Sequence, residues 1–99
     1  MKIRDRGDTP WVVRPTEIFE AAFNRLISES ERDAALEVID LFVRLAQRDP
    51  RMAGEQHPDL PHFWLFETPG LVRRLPRLLV VYSIDDAEGF VDLWNLYRL

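Results

Sequence analysis

Apolar and polar positions along the chain follow two periods, and the change between them falls near residue 62. Trp11-Val12-Val13-Arg14 is a short run of strand-forming residues held between Pro10 and Pro15. Proline lacks a backbone donor, so this placement predicts an edge strand or one that begins late. Thr16 is a good helix N-cap, and Glu17 follows in the first turn, where the helix dipole favours a carboxylate. Ile18, Phe19, Ala22, Phe23, Leu26 and Ile27 then share one helical face. Ser28-Glu29-Ser30 interrupts this stripe. Ser30 is placed to cap a second helix, with Asp33 three residues on as an imperfect capping box. Ala35, Val38, Ile39, Phe42, Leu45 and Ala46 make the second stripe, which Asp49-Pro50 ends. The expected unit is an antiparallel helical hairpin.

Residues 50–61 hold three prolines and one glycine and read as a connector. Beyond it the chain turns strand-like. His62 to Glu67 is aromatic, Thr68-Pro69-Gly70 is a turn signal, and Leu71 to Leu75 alternates apolar residues with arginine. Leu78 to Ile84 is a near-continuous apolar run, the mark of a central strand covered on at least one face. Asp85 to Gly89 is a polar hairpin loop, and Phe90 to Tyr97 is the last strand. The order β-α-α-β-β-β predicts an α+β fold, an N-terminal strand and helical hairpin packed on one antiparallel sheet. The first strand has no sequence neighbour to pair with and is expected to join the sheet beside a later one. The 99 residues are enough for one domain, 1–99, with residues 1–10 as a loose lead-in.

Composition narrows the function. At 46% hydrophobic and 30% charged residues the chain is that of a folded protein. It has no run of about 18 apolar residues, and Met1 to Pro10 is charged, unlike a signal peptide. The expected location is therefore the cytoplasm, with no membrane association. The absence of cysteine removes disulfides, thiolate nucleophiles and cysteine–zinc sites. A net charge of −4 does not suit an autonomous nucleic-acid binder, because phosphate neutralisation supplies most non-specific affinity. There is no glycine-rich phosphate loop, serine–histidine–aspartate triad or zinc-finger spacing, so no cofactor or metal is implied.

The succession of segments resembles the RelE/ParE toxin superfamily of bacterial type II toxin–antitoxin systems. The resemblance rests on Trp11-Val12-Val13 leading through Pro15-Thr16 into Ile18-Phe19, then on the helical hairpin. It continues through Gly70-Leu71-Val72-Arg73, Val80-Val81-Tyr82-Ser83-Ile84-Asp85 and Val91-Asp92-Leu93-Trp94. It covers roughly residues 11–98 and implies that fold, a cognate antitoxin as partner, and one of two targets. RelE-like members cut mRNA on the ribosome with arginine, lysine and often tyrosine side chains and no metal; ParE-like members inhibit DNA gyrase. RelE-like members commonly carry an arginine three residues before the tyrosine of the "VVY" strand, where this chain has Leu79, with Arg77 the nearest arginine. Arg73 and Arg74 are the counterparts this chain offers for the basic residues of the preceding strand; many members also draw an arginine and a tyrosine from a segment past the last strand, for which Tyr97 and Arg98 are the substitutes here.

Arg73, Arg74 and Arg77 form the densest positive cluster. Guanidinium groups bind phosphate in bidentate fashion and can stabilise charge developing on a scissile phosphate. The plainer expectation is an exposed strand surface whose arginines pair with nearby carboxylates. Tyr97 and His62 are the candidates for proton transfer, whereas Tyr82, inside the apolar run, is expected in the core. His57 and His62 match no metal motif, and Asp85, Asp86, Glu88 and Asp92 belong to a turn, where aspartate is favoured for backbone reasons. The three tryptophans and six phenylalanines are a heavy load for this length. They predict an apolar patch that an antitoxin or a second copy of the chain covers. Three readings stay open: an mRNA endoribonuclease built on Arg73, Arg74, Arg77, Tyr97 and His62; a gyrase inhibitor; and a non-toxic protein-binding module.

Overall fold

The structure, a computed structural model, describes residues 9–69 and 77–99. Strand β1 (Val12–Pro15) leads into helix α1 (Glu17–Leu26). A 3-10 turn (Glu29–Glu31) precedes helix α2 (Arg32–Arg48), followed by a short helix α3 (Pro50–Ala53). Strands β2 (Glu55–Gln56), β3 (Phe63–Glu67), β4 (Leu78–Asp85) and β5 (Phe90–Arg98) complete the order. The strands form one sheet in the order β1-β5-β4-β3-β2. β1 runs parallel to β5 and all other neighbours are antiparallel, so the first strand joins beside the last. The expected strand over Leu71 to Leu75 lies outside the described residues.

Helix α1 starts where the sequence predicts. The Thr16 hydroxyl accepts a hydrogen bond from the Phe19 amide at 3.3 Å and donates to the Leu93 carbonyl at 2.8 Å, so the cap also ties the helix to β5. The second cap differs from expectation. Ser28, not Ser30, closes the capping box, with Glu31 accepting from the Ser28 amide at 3.2 Å. The extra 3-10 turn moves the start of α2 to Arg32. Arg98 reaches back to this turn, pairing with the Glu31 carboxylate at 3.0 Å and donating to the Leu26 carbonyl.

The connector over 50–61 is more ordered than its prolines suggest. Pro50 opens α3 at a position that needs no backbone donor, and Asp49 caps it by accepting from the Arg51 amide at 3.1 Å. Tyr82, fully buried in β4, donates its hydroxyl proton to the Pro50 carbonyl at 2.7 Å. Gly54 then passes so close to β3 that a Cβ there would stand 2.2 Å from the Leu65 carbonyl oxygen and 2.6 Å from the Tyr82 hydroxyl. Only glycine fits, and β2 pairs with β3 just beyond it.

Both long helices lie on one face of the sheet. Phe19, Phe23, Ile39 and Phe42 from the helices meet Phe66, Val80, Tyr82, Val91, Leu93 and Leu96 from the strands. Phe42 is at the centre, its ring 4.8 Å from that of Phe66 and 4.9 Å from that of Tyr82. Leu93 and Leu96 are three apart, yet both face this core. A bulge reconciles the spacing: Val81 pairs with Asn95 and Tyr82 with Leu93, leaving Trp94 unpaired and resetting the strand's phase.

Candidate functional site

Among the described residues, no helix covers the sheet face opposite α1 and α2, and its residues follow from strand register, since directly paired residues share a face. One row across it is Glu67, Leu79 and Tyr97. The next is Glu55, Leu65, Val81 and Asn95. The third is Phe63, Ser83, Asp92 and Arg14. The bulge turns Trp94 onto this face, where its indole donates to the Ser83 hydroxyl at 2.7 Å. Leu65, Leu79 and Val81 form the floor of a trough of about 490 Å³. Leu60 and Phe63 flank it on one side, and Ile18, Trp94 and Tyr97 on the other. Trp94 is 37% exposed and Tyr97 51% exposed. Aromatic surplus in the sequence therefore does surface as an exposed apolar patch. Among the described residues, no lysine, arginine or carboxylate lines the trough.

Among the described residues, Arg77, Arg14 and Arg51 near this face are paired with carboxylates. Arg77 pairs with Glu67 beside Leu79. Arg14 pairs with Asp92 through two hydrogen bonds, of 2.8 and 3.1 Å, and stacks 3.7 Å from the Phe90 ring centroid. The Asp92 hydrogen bond holds the Arg14 guanidinium charged even more firmly than usual. Arg51, reached round the edge of the sheet, grips Asp86 through two hydrogen bonds of 2.7 and 2.8 Å, and these lower the Asp86 pKa.

The residues singled out in the sequence fall in three places. Arg77 and Tyr97 lie at the same end of the open face, where the Leu99 amide bonds the Arg77 carbonyl at 2.8 Å. The Tyr97 hydroxyl accepts from the Asn95 side chain at 3.2 Å. Arg73 and Arg74 lie outside the described residues. His62 precedes Phe63, whose partner Ser83 is four residues from Leu79 along β4. That separation is about 13 Å. His62 instead lines a polar hollow with Arg51, Gln56, Trp64, Ser83 and Asp86. The two alternative candidates for proton transfer, Tyr97 and His62, thus lie at opposite ends of the sheet. His57 acts within its loop, its Nδ1 accepting from the Asp59 and Leu60 amides at 3.0 Å each. Tyr82 is core, as expected, and burial, with the Asp49 carboxylate adding, pushes its phenol above the ordinary range. The floor residues Leu65, Leu79 and Val81 were not singled out as site residues. The signal for Leu79 and Val81 was the unbroken apolar run of β4, which supplies twice what one covered face needs.

Comparison with known proteins places the fold. A chain in the crystal structure of the toxin–antitoxin complex RelBE2 from Mycobacterium tuberculosis matches with a TM-score of 0.66 at 20% sequence identity, covering 91% of this chain and 99% of that one. The fold is RelE-like, as the order of elements predicted. No protein-family model matches the chain, and no curated protein matches it. Among the described residues, no helix is long and apolar enough to cross a membrane.

Proposed function

We propose that the chain is the RelE-like component of a toxin–antitoxin pair and that it acts by gripping other proteins rather than by cutting RNA. The fold likeness to a chain of the RelBE2 complex supports an antitoxin as one such partner. The observation that carries the protein-binding reading is the chemistry of the open face. Its trough is mostly apolar, and among the described residues the cations beside it, Arg14 and Arg77, are each held by a carboxylate. Binding a polyanion requires free cations, whereas desolvating an apolar surface against a protein does not. Inhibition of an enzyme such as gyrase needs nothing more than this.

One observation favours mRNA cleavage as a second reading. Arg77 and Tyr97 share an end of the open face, and Arg73 and Arg74 stand just before Arg77 in the sequence. In that reading the arginines stabilise the scissile phosphate and Tyr97 transfers a proton, with His62 as the distant alternative. Controlled expression in a bacterial host, beside an Arg73/Arg74/Arg77 triple-alanine variant, separates the two. The protein-binding reading expects growth arrest by both forms, with pulse-labelling of protein and DNA synthesis naming the target. Arrest by the parent alone supports cleavage. Arrest by neither, with folded protein accumulating, leaves a non-toxic binding module.

A further inference from the structure

We infer that α2 pairs, antiparallel, with α2 of a second copy of this chain, through an apolar seam on one flank of the helix. This goes beyond the protein-binding reading, which concerns the other side of the sheet, and it stands or falls without that reading. Helix α2 carries more apolar surface than its core face uses. Ala35, Ile39, Phe42 and Ala46 enter the core with the strands. Ala34, Val38, Leu41 and Leu45 follow a second line, spaced four, three and four residues apart. That is the narrow seam of a coiled coil. Leu41 is 44% exposed and Leu45 40%, and Val38 is buried yet lies outside the core cluster. Leu36, the other exposed leucine of α2, lies on the opposite flank, in a groove with Phe19, Val43 and Leu93.

Charge selects the occupant. One border of the seam is closed, because Ala35 and Phe42 are in the core. The other border carries Glu37 and Arg44, seven residues apart and so in line along the helix. Both are exposed. Among the described residues Glu37 forms no ion pair. Arg44 pairs with Asp40 one turn earlier at 2.7 Å, and both side chains are mostly in solvent, where such a pair contributes little. Two copies crossing antiparallel about a two-fold axis set Leu41 against Val38 of the second copy and Leu45 against its Ala34. In that register Glu37 of each copy stands beside Arg44 of the other, so one arrangement matches both charges twice. The seam is complementary to itself. It is about 17 Å long, which places the contact among small, transient interfaces. The open sheet face of each copy stays free.

Sedimentation equilibrium of the full chain, from about 10 μM to about 1 mM, provides the test. The parent is expected to shift from monomer to dimer within that range. Leu41→Lys/Leu45→Lys, at exposed positions, is expected to weaken association at least ~10-fold, because it places charge in the seam. Glu37→Arg and Arg44→Glu each set like charges side by side and are each expected to weaken it at least ~10-fold. An equimolar mixture of these two variants is expected to restore it, because each then meets its opposite. A parent that stays monomeric throughout, unaltered association of the folded leucine variant, or a mixture no tighter than either charge variant alone overturns the inference. Association lost in Leu79→Arg but kept in the leucine variant moves the contact to the open face and overturns it too. Should the leucine variant fail to fold, the charge variants, which alter only exposed groups, decide.

Discussion

The two faces of the sheet are cut from the same strands, yet one is closed and the other open. β4 sends Leu78, Val80 and Tyr82 to the helix side, where all are almost fully buried, and Leu79, Val81 and Ser83 to the other, where each stays partly exposed. Residue type alone does not separate them. What separates them is supply: the stripes of α1 and α2 are spent on the first face, and among the described residues no third long helix exists for the second. Apolar surface that the described elements leave open is the ground for the proposed protein-binding role. The covered face is therefore read through stability and the open face through binding.

This contrast can be broken most severely at Phe42, which is fully buried between α2 and the sheet. Phe42→Ala is expected to cost about 3–5 kcal/mol, read as a drop in the denaturation midpoint. A loss below ~1 kcal/mol would mean the helices do not depend on that face. Next come Gly54→Ala and Tyr82→Phe. The first forces a methyl against the Leu65 carbonyl, and the second strips the Pro50 carbonyl of its buried donor; each is expected to cost about 1–3 kcal/mol by the same measurement. Leu79→Arg sharpens the contrast from the other side. On the open face it is expected to change stability by less than ~1 kcal/mol while abolishing the patch, seen as loss of hydrophobic-dye or partner binding.

The smallest effect concerns acid. Glu31 has its pKa lowered chiefly by the Ser28 hydroxyl and amide and then by Arg98, and Asp86 by its hydrogen bonds to Arg51. A carboxyl whose pKa falls on folding contributes stability above its unfolded pKa, about 4, and loses it as pH drops through the folded value. Glu31→Gln/Asp86→Asn is therefore expected to be slightly less stable than the parent at pH 7. That gap should close below about pH 4, as followed by thermal melts across pH.

Much of the helix side was legible in the sequence. The stripes, less Ile18 and Leu45, which are exposed, the Thr16 cap and the hairpin at Asp85–Gly89 depend on neighbours within a few residues, and these are present. The elements that were not legible rest on distant partners. α3 and β2 exist because Tyr82 and Leu65 close on Pro50 and Gly54. The capping box moved from Ser30 to Ser28 because Glu31 serves both Ser28 and Arg98 across 67 residues of chain. The site was half legible. The arginine cluster was visible, but the Glu67 that occupies Arg77 is ten residues away. The bulge that brings Trp94 and Tyr97 to one face was foreshadowed only by the three-residue spacing of Leu93 and Leu96.

The central claim, that the open face works by apolar contact and not by its cations, is tested most directly by one growth experiment with three forms: the parent, Leu79→Arg and the Arg73/Arg74/Arg77 triple-alanine variant, each confirmed to accumulate folded. The account predicts arrest by the parent and the triple variant and release by Leu79→Arg. Release by the triple variant with arrest kept by Leu79→Arg would contradict it and return the face to phosphate chemistry.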